Sequence, residues 1–504
     1  MTTHPTGSVP DEVAREGTGA PLEELARRCQ ALLGDEAVIT DEARRRTYEC
    51  DGLAAYTVVP GLVVLASDTA TIRDVVRLCN EFAVPFVARG SGTGLSGGAL
   101  PHADGVLIVA SRMRDILDVD PGAQRAVVQP GVINLDVTAA AKPHGYYYAP
   151  DPSSQQICSI GGNVAENSGG AHCLKYGFTT NHVLSVQMVM PDGEVTRLGT
   201  TAPDAPGYDL LGTVVGSEGT LGIVTEATVR LTRAPEAVVT LLAGFRSTDD
   251  AGAATSAIIG AGLVPAAIEM MDALAIEAAE KAVACGYPDG AGAVLVVELD
   301  GPADEVQAQV EEVRRHLNDA AAFDIRQAED DEQRALIWKG RKSAFAAVGR
   351  ISPDYIVQDG VIPRTALPEV LRKIEEVAHE RGIRVANVFH AGDGNLHPLV
   401  LFDASEEGAT ERAEEVSAQI LALCLDHGGS ITGEHGVGAD KAQYMTQMFT
   451  DDDLDTMQLV RCAFDPRHLS NPGKVFPTPR LCGERPGRRT GAHPLQDAGV
   501  AEIF

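Results

Sequence analysis

The stretch Val87-Ala-Arg-Gly-Ser-Gly-Thr-Gly-Leu-Ser-Gly-Gly-Ala-Leu-Pro101 carries five glycines between positions 90 and 98. It contains Gly92-x-Gly94-x-x-Gly97, which is formally the fingerprint of a dinucleotide-binding Rossmann fold. That fold requires a helix to begin at the loop, because the helix N-terminus must face the pyrophosphate. Here the loop runs into Gly-Gly-Ala-Leu-Pro101 and then a strand, which disfavours a nicotinamide-binding Rossmann domain.

What remains is a strand, Val84-Pro-Phe-Val-Ala88, that leads into a loop of small residues. The free amides of such a loop can surround a diphosphate without obstruction by side chains. This favours the pyrophosphate of a flavin dinucleotide, and a glycine-rich surface connector is the alternative on composition alone.

Small residues recur in two further segments. The first comprises Ala149-Pro-Asp-Pro-Ser-Ser154, Ser159-Ile-Gly-Gly-Asn163 and Glu166-Asn-Ser-Gly-Gly170. The second, Gly216-Ser-Glu-Gly-Thr-Leu-Gly-Ile-Val224, predicts a tight turn that enters a strand. Each segment alone is typical of turns, but three in one strand-rich region favour a large, extended cofactor.

The composition predicts a large, acidic, globular protein. The 504 residues suggest about three domains of the usual size of about 150 residues. A formal charge of -30 should repel phosphate backbones, so nucleic acid is not an expected partner. No apolar run approaches the roughly 18 residues of a membrane span. No signal peptide is visible and the cysteines form no C-x-x-C pair, so we expect a cytoplasmic protein.

Changes in the pattern of residue types along the chain predict five segments. Short β-branched runs between glycine and proline turns continue to about Thr232, and alternating strands and Ala/Glu-rich helices follow. The expected segments are a disordered tail at 1–20, a cofactor domain at 21–235, an α+β substrate domain at 236–425, a C-terminal helical segment at 426–480 and a disordered tail at 481–504.

Histidines and a carboxylate form the strongest chemical signal outside the glycine loops. His390 and His397 stand at either end of Phe389-His-Ala-Gly-Asp-Gly-Asn-Leu-His-Pro398, which predicts a hairpin. Residues at the mouths of such a loop can lie roughly 5 Å apart across the strands. On spacing alone, a metal site and a hydrogen-bonded pair that stabilises the turn are equally good interpretations. Glu434 and His435 lie in a further glycine-rich loop, and two histidines with one carboxylate suit a catalytic divalent metal.

Arg341 is a candidate anion-binding residue on a predicted helix, Trp338-Lys-Gly-Arg-Lys-Ser-Ala-Phe345. Cations on a helix face usually meet water. A protein with a charge of -30 nevertheless needs local cations to bind an anion, and a guanidinium can bind a carboxylate bidentately. Lys342 and Arg350 are weaker candidates, and Lys474 in Asn471-Pro-Gly-Lys474 is a candidate for closing the flavin site.

From about residue 45 to 480 the chain resembles the vanillyl-alcohol oxidase superfamily, and within it the FAD-linked subunits of bacterial glycolate oxidases and D-lactate dehydrogenases. The glycine loop, the Pro150-Asp-Pro152 turn and Ile160-Gly-Gly-Asn163 carry this resemblance. It implies an α+β fold with a two-lobed FAD-binding domain, a ferredoxin-like substrate or cap domain, and a C-terminal helical segment at the flavin site. It also implies FAD contacts from Arg89, Gly90, Ser91, Gly92, Thr93, Gly94, Ser96, Pro150, Asp151, Ser153, Gly161, Asn163, Asn167, Gly170, Glu218, Gly219, Ile223 and Asn471.

The resemblance further implies a reaction. FAD would oxidise a 2-hydroxy acid, glycolate or D-lactate, to the 2-oxo acid by hydride transfer. His435 would act as base, Arg341 would hold the substrate carboxylate, and a divalent metal, commonly zinc, would be bound by His390, His397 and Glu434. Relatives imply a second flavin subunit and an iron-sulfur subunit as electron acceptors, which would make the protein peripheral to a membrane.

Two functions of other classes stay open at this stage. The His/His/Glu/His group would equally serve a metal-dependent hydrolase, with the glycine-rich domain as a passive scaffold. A non-catalytic flavoprotein subunit would bind the same cofactor without oxidising a substrate.

Overall fold

The computed structural model describes residues 20–202 and 207–477. The tails predicted at 1–20 and 481–504 lie outside the described residues, apart from Ala20, which begins a helix. The predicted domain boundary at 235/236 falls between two strands, which end at Arg233 and begin at Ala237.

The first part of the chain holds two larger sheets and one two-stranded sheet. Its strands are β1 Val38–Ile39, β2 Leu62–Leu65, β3 Phe86–Arg89, β4 Val106–Val109, β5 Ile116–Asp120, β6 Arg125–Val128, β7 Tyr146–Tyr147, β8 Val183–Val189, β9 Val195–Gly199, β10 Ile223–Arg230 and β11 Thr232–Arg233. Its helices are α1 Ala20–Leu33, α2 Glu42–Arg45, α3 Thr69–Phe82, α4 Asn134–Ala141, α5 Ile160–Glu166, α6 Cys173–Tyr176 and α7 Leu210–Val214. One sheet has the order β1-β2-β4-β3, the other is antiparallel with the order β5-β6-β10-β8-β9, and β7 pairs with β11.

Helix α3 shows how the sequence builds this part. The carboxylate of Asp68 caps it by accepting the N–H of Thr71 at 2.7 Å. Ile72, Val75 and Cys79 recur at helical spacing, are fully buried, and pack on the four-stranded sheet. Strands β3 and β4 are parallel, and β3 ends at Arg89, so the glycine loop leaves the carboxyl end of a buried strand.

The second part is one large antiparallel sheet. Its strands are β12 Ala237–Phe245, β13 Ala267–Asp272, β14 Ala293–Gly301, β15 Asp324–Gln327, β16 Asp354–Val357, β17 Gly360–Val361, β18 Arg384–His390 and β19 Asn395–Phe402. Its helices are α8 Thr248–Gly260, α9 Ala273–Val283, α10 Ala303–Asp319, α11 Asp331–Ala347, α12 Leu367–Glu380 and α13 Ala409–Asp426. The sheet order is β15-β12-β14-β13-β18-β19-β16, and β17 also pairs with β19.

The first four strands of this order have ferredoxin-like topology. The chain runs β12-α8-β13, then β14-α10-β15, with α9 inserted between β13 and β14. Strands β18, β19 and β16 extend the sheet beyond β13. Buried clusters cover both faces, so the sheet is a rigid central layer. This confirms the predicted α+β fold of this part of the chain and its ferredoxin-like character.

The C-terminal segment returns to the first part of the chain. After α14 Met445–Met448 and α15 Asp451–Phe464, the backbone N–H of Asn471 donates to the carbonyl of Phe86 on β3 at 2.8 Å. The segment therefore closes against the strand that carries the glycine loop. Within the described residues, no helix combines the length and the apolarity that crossing a membrane requires.

Candidate active site

A cavity of about 2060 Å³ lies where the two parts of the chain and the C-terminal segment meet. Single ligand pockets usually measure about 300–1,000 Å³, so this cavity can hold an extended cofactor together with a small substrate. Of the residues for which the resemblance implies FAD contacts, these line it: Arg89, Gly90, Ser91, Gly92, Thr93, Gly94, Ser153, Gly161, Asn163, Glu218, Gly219 and Ile223.

The backbone of this wall fits a dinucleotide. A Cβ added at Gly161 would lie 2.6 Å from Cβ of Pro130, and one added at Gly90 would overlap Oγ of Ser159. Gly92 has φ +69°, which favours glycine. Oγ of Ser159 is buried without a hydrogen-bond partner among the described residues. Packing within the wall therefore requires glycine at positions 90 and 161, and Oγ of Ser159 is an unused donor.

The other six predicted FAD residues stand behind this wall and support it. The carbonyl of Pro150 accepts from Asn134, and the carboxylate of Asp151 bonds the ring of His172 at 2.9 Å. Asn471 donates from Nδ2 to the carbonyls of Gly98 and Glu218. Ser96 is fully buried, the Asn167 side chain accepts from the Thr180 amide, and Gly170 packs on the backbone of Asp151 at φ +144°.

The predicted hairpin is present, and it brings the two histidines together. His390 pairs with Asn395, and His397 lies two residues further along β19 on the same face. Their ring centroids are 5.1 Å apart. Oε1 of Glu434 lies 3.3 Å from Nε2 of His390 and 3.1 Å from Nε2 of His397. These three ligand atoms can reach one ion.

The donor set fits a divalent metal. Oε2 of Glu434 is buried without a hydrogen-bond partner among the described residues, and neither ring nitrogen of His397 has a well-aligned hydrogen bond there. Burial raises the pKa of Glu434, but the two histidines outweigh burial and hold that pKa well below its usual range. Two imidazoles and one carboxylate that lines the cavity are a donor set typical of a catalytic zinc site.

His435 follows this carboxylate directly and lines the same cavity. Its ring stacks on His397 with centroids 5.1 Å apart. Burial lowers the pKa of His435 to about 4, so the imidazole is neutral at physiological pH. A neutral imidazole beside a candidate metal site and a cofactor cavity is placed to accept a proton.

Arg341 is 2% exposed and makes an ion pair at 2.5 Å with Glu269 on β13. The same carboxylate bonds Nδ1 of His390 at 2.8 Å, so one glutamate joins the arginine to the histidine cluster. Nε of Arg341 is buried without a hydrogen-bond partner among the described residues. Lys342 lines the cavity, whereas Arg350 is exposed and bonds the carbonyl of Lys281.

Two family models match the chain. One is described as FAD binding domain and covers residues 60–199, and the other as FAD linked oxidases, C-terminal domain, covering residues 234–475. The chain is 50% identical to glycolate oxidase subunit GlcD of Escherichia coli strain K12, over 95% of this chain and 94% of that relative.

The chain belongs to the FAD-linked oxidase family.

Two further likenesses support this membership. This FAD-linked oxidase is 32% identical to the D-lactate dehydrogenase of Anaerostipes hadrus, over 90% of the chain and 97% of that relative. The solved structure of 4-ethylphenol oxidase from Gulosibacter chungangensis shares its fold with a TM-score of 0.77 at 18% identity, over 94% of this chain and 99% of that one. The predicted vanillyl-alcohol oxidase fold and the identification as an FAD-dependent oxidoreductase are confirmed.

Sequence reasoning missed two buried carboxylates that organise the site of this FAD-linked oxidase. Glu269 joins Arg341 to His390, as described above. Asp359 is fully buried and accepts the backbone N–H groups of Gly433 at 2.9 Å and His435 at 3.0 Å. Lys441 lies 3.5 Å from this carboxylate. Neither carboxylate lies in a recognisable sequence motif. The residues around Asp359 predict only the end of a strand.

A second network of charged side chains joins the segment behind the cavity wall to the large sheet. His172 bonds Asp151 at 2.9 Å through Nδ1 and Glu298 at 3.1 Å through Nε2, and its ring stacks on Trp338. Burial lowers the pKa of His172, but the two carboxylates outweigh burial and raise it to about 10. The group is therefore an imidazolium that bridges two parts of the oxidase.

This bridge predicts a pH-dependent stability. The folded pKa of about 10 exceeds the usual value of about 6.5, so the stabilisation is complete below pH 6.5 and is lost as pH rises through 10. We expect His172→Gln to destabilise the fold by about 3 kcal/mol at pH 6.5 and by progressively less up to pH 10. Denaturant unfolding across this range measures the effect, with His379→Gln on the exposed face of α12 as control. Parallel pH profiles for wild type and His172→Gln would contradict it.

Proposed function

We propose that this FAD-linked oxidase converts a short 2-hydroxy acid, glycolate or D-lactate, to the 2-oxo acid. The observation that carries the proposal is that Glu434 and His435 line the same cavity as the glycine loop at 89–94. The names of the relatives agree with it, since one is a glycolate oxidase subunit and another a D-lactate dehydrogenase.

The cavity residues named above would hold FAD, and His390, His397 and Glu434 would hold a divalent metal, zinc by donor type. The flavin supplies a hydride acceptor, and the metal supplies a Lewis acid that lowers the pKa of a bound hydroxyl. Glu269 bonds Nδ1 of His390 at 2.8 Å. The other ring nitrogen, Nε2, is then left as the ligand atom for the metal, on the side of Glu434.

The chain's own residues then position the substrate and move one proton. A ring nitrogen of His435 takes the hydroxyl proton as the α-hydrogen leaves as hydride. The guanidinium of Arg341, with Nε unused, binds the carboxylate and orients the C–H bond. Because Arg341 already pairs with Glu269, its position is fixed before substrate arrives.

Reduced flavin must pass its electrons on, and we propose partner subunits for this step. One relative is named as a subunit of glycolate oxidase. A second flavin-binding subunit and an iron-sulfur subunit would serve as acceptors, with the assembly in the cytoplasm or peripheral to its membrane.

An anaerobic substrate panel tests the reaction. We expect glycolate or D-lactate to bleach the flavin of the purified protein within seconds, and L-lactate to leave it oxidised. D-2-hydroxyglutarate tests whether a larger acid is accepted. If no 2-hydroxy acid bleaches the flavin, the proposal is wrong, and hydrolase activity or a non-catalytic subunit role takes its place.

A further inference from the structure

Glu166, the last residue of α5, packs against both the glycine loop and the loop that carries Glu434. A Cβ added at Gly98 would lie 2.5 Å from Oε1 of Glu166, and one added at Gly94 would lie 3.9 Å from it. A Cβ added at Gly436 would overlap Oε2. The carboxyl group thus packs between the glycine loop and the loop that carries Glu434, and it lines the cavity.

The surroundings of this carboxyl contain acids and no cation of its own. Oε2 is buried without a hydrogen-bond partner among the described residues. Glu218 and Asp51 are the charged groups that act on Glu166. Glu218 accepts the backbone N–H groups of Val437 at 2.7 Å and Gly438 at 2.6 Å.

The nearby cations stabilise other carboxylates. Arg89 and Lys474 act on Asp51, and Lys474 and Lys441 act on Glu218. Nζ of Lys474 donates to the carbonyl of Leu100 at 3.0 Å. A carboxylate that has one buried oxygen and lies beside two other acids, with no paired cation, is costly to ionise. Burial, Glu218 and Asp51 together raise the pKa of Glu166 well above its usual range.

We infer that Glu166 is a neutral carboxylic acid at neutral pH and that it donates its proton in a hydrogen bond to an oxygen of bound FAD. The cavity position next to Gly94 places the carboxyl beside the cofactor wall. An ionised carboxylate there would repel the anionic cofactor, whereas the acid is a donor. Glu166 is a positioning residue for the cofactor, and this role does not depend on the identity of the substrate.

This role couples FAD binding to one proton. At a pH above the pKa of Glu166, FAD can bind only if Glu166 takes up a proton or if an ionised carboxylate is left beside the cofactor. Linkage then predicts that the dissociation constant for FAD rises about tenfold for each pH unit above that pKa. A glutamine side chain keeps the shape and the donor but cannot ionise, so Glu166→Gln should show no such rise.

Infrared spectra of the FAD-loaded protein test the protonation directly. At pH 8.5, Glu218, with a pKa of about 7, and Asp272 and Asp393, each about 6, are largely ionised. A carboxylic-acid carbonyl band should therefore persist in wild type and disappear in Glu166→Gln. It should persist in Glu226→Gln, which alters a half-buried acid that pairs with Arg197 and does not line the cavity. Absence of the band from wild type would overturn the inference even if Glu166→Gln fails to fold.

Dissociation constants for FAD between pH 7 and pH 10 test the linkage. Over the pH range in which the carbonyl band of wild type disappears, we expect wild type and Glu226→Gln to weaken together with rising pH, and Glu166→Gln to weaken less. Equal slopes in wild type and Glu166→Gln over the range in which the carbonyl band is lost would refute the hydrogen bond to FAD, as would tenfold weaker binding by Glu166→Gln at pH 7.

Discussion

Replacement of His435 by alanine should leave FAD bound and its absorbance intact while slowing reduction of the flavin by substrate about 10²–10⁴-fold. The imidazole lines the cavity and stacks on His397, so its loss removes the proposed base and leaves the cofactor wall in place. Anaerobic stopped-flow measurement of flavin bleaching with saturating substrate gives the rate.

The matched control is His379→Ala, which removes an exposed histidine on α12. It should reduce the flavin at the wild-type rate. An unchanged rate in His435→Ala would show that another group accepts the proton.

Replacement of His397 by alanine should abolish both metal binding and flavin reduction. His397 is 1% exposed, and its Nε2 lies 3.1 Å from Oε1 of Glu434. Removal of one of three proposed ligands leaves a carboxylate and one imidazole, which hold a divalent ion weakly. We expect less than a tenth of the wild-type zinc content by elemental analysis, and a loss of flavin reduction of at least about 10³-fold.

Chelation tests the same site without a substitution. Wild-type protein stripped of metal should lose flavin reduction and regain it when zinc is added, whereas FAD content stays constant. Full activity in a preparation shown to be metal-free would exclude a catalytic role for the ion. The His379→Ala control should retain both metal and activity.

The sequence predicted some strands of the scaffold and missed others. Strands β12 and β14 contain the apolar, β-branched runs Val-Val at 238–239 and Val-Leu-Val-Val at 294–297, and they were predicted from those runs. Strand β13, with the sequence Ala-Ile-Glu-Met-Met-Asp, was not predicted, because Glu269 interrupts the run and methionine is not β-branched. Glu269, the charged residue that interrupts the apolar pattern of this strand, is also the residue that binds Arg341 and His390.

Arg341 shows the same limit for the site. The sequence placed it on a helix, where a cation usually faces water, and only the resemblance gave it a role. The tertiary structure buries it, because β13 and α11 pack so that Glu269 meets its guanidinium. Residues 72 positions apart in the chain cannot be paired from local pattern.

By itself, the sequence determined what depends on short range: the glycine loop after β3, the hairpin that carries His390 and His397, and the adjacency of Glu434 and His435. Local spacing decides these features, because glycine content and strand alternation act within a few residues. The tertiary structure alone decided that the glycine loop, Glu434 and His435 line one cavity, that Glu269 and Asp359 are buried nearby, and that Glu166 packs against both loops. Burial strengthens the interactions of these carboxylates with neighbouring charges and donors, and burial is a property of the folded chain rather than of any segment.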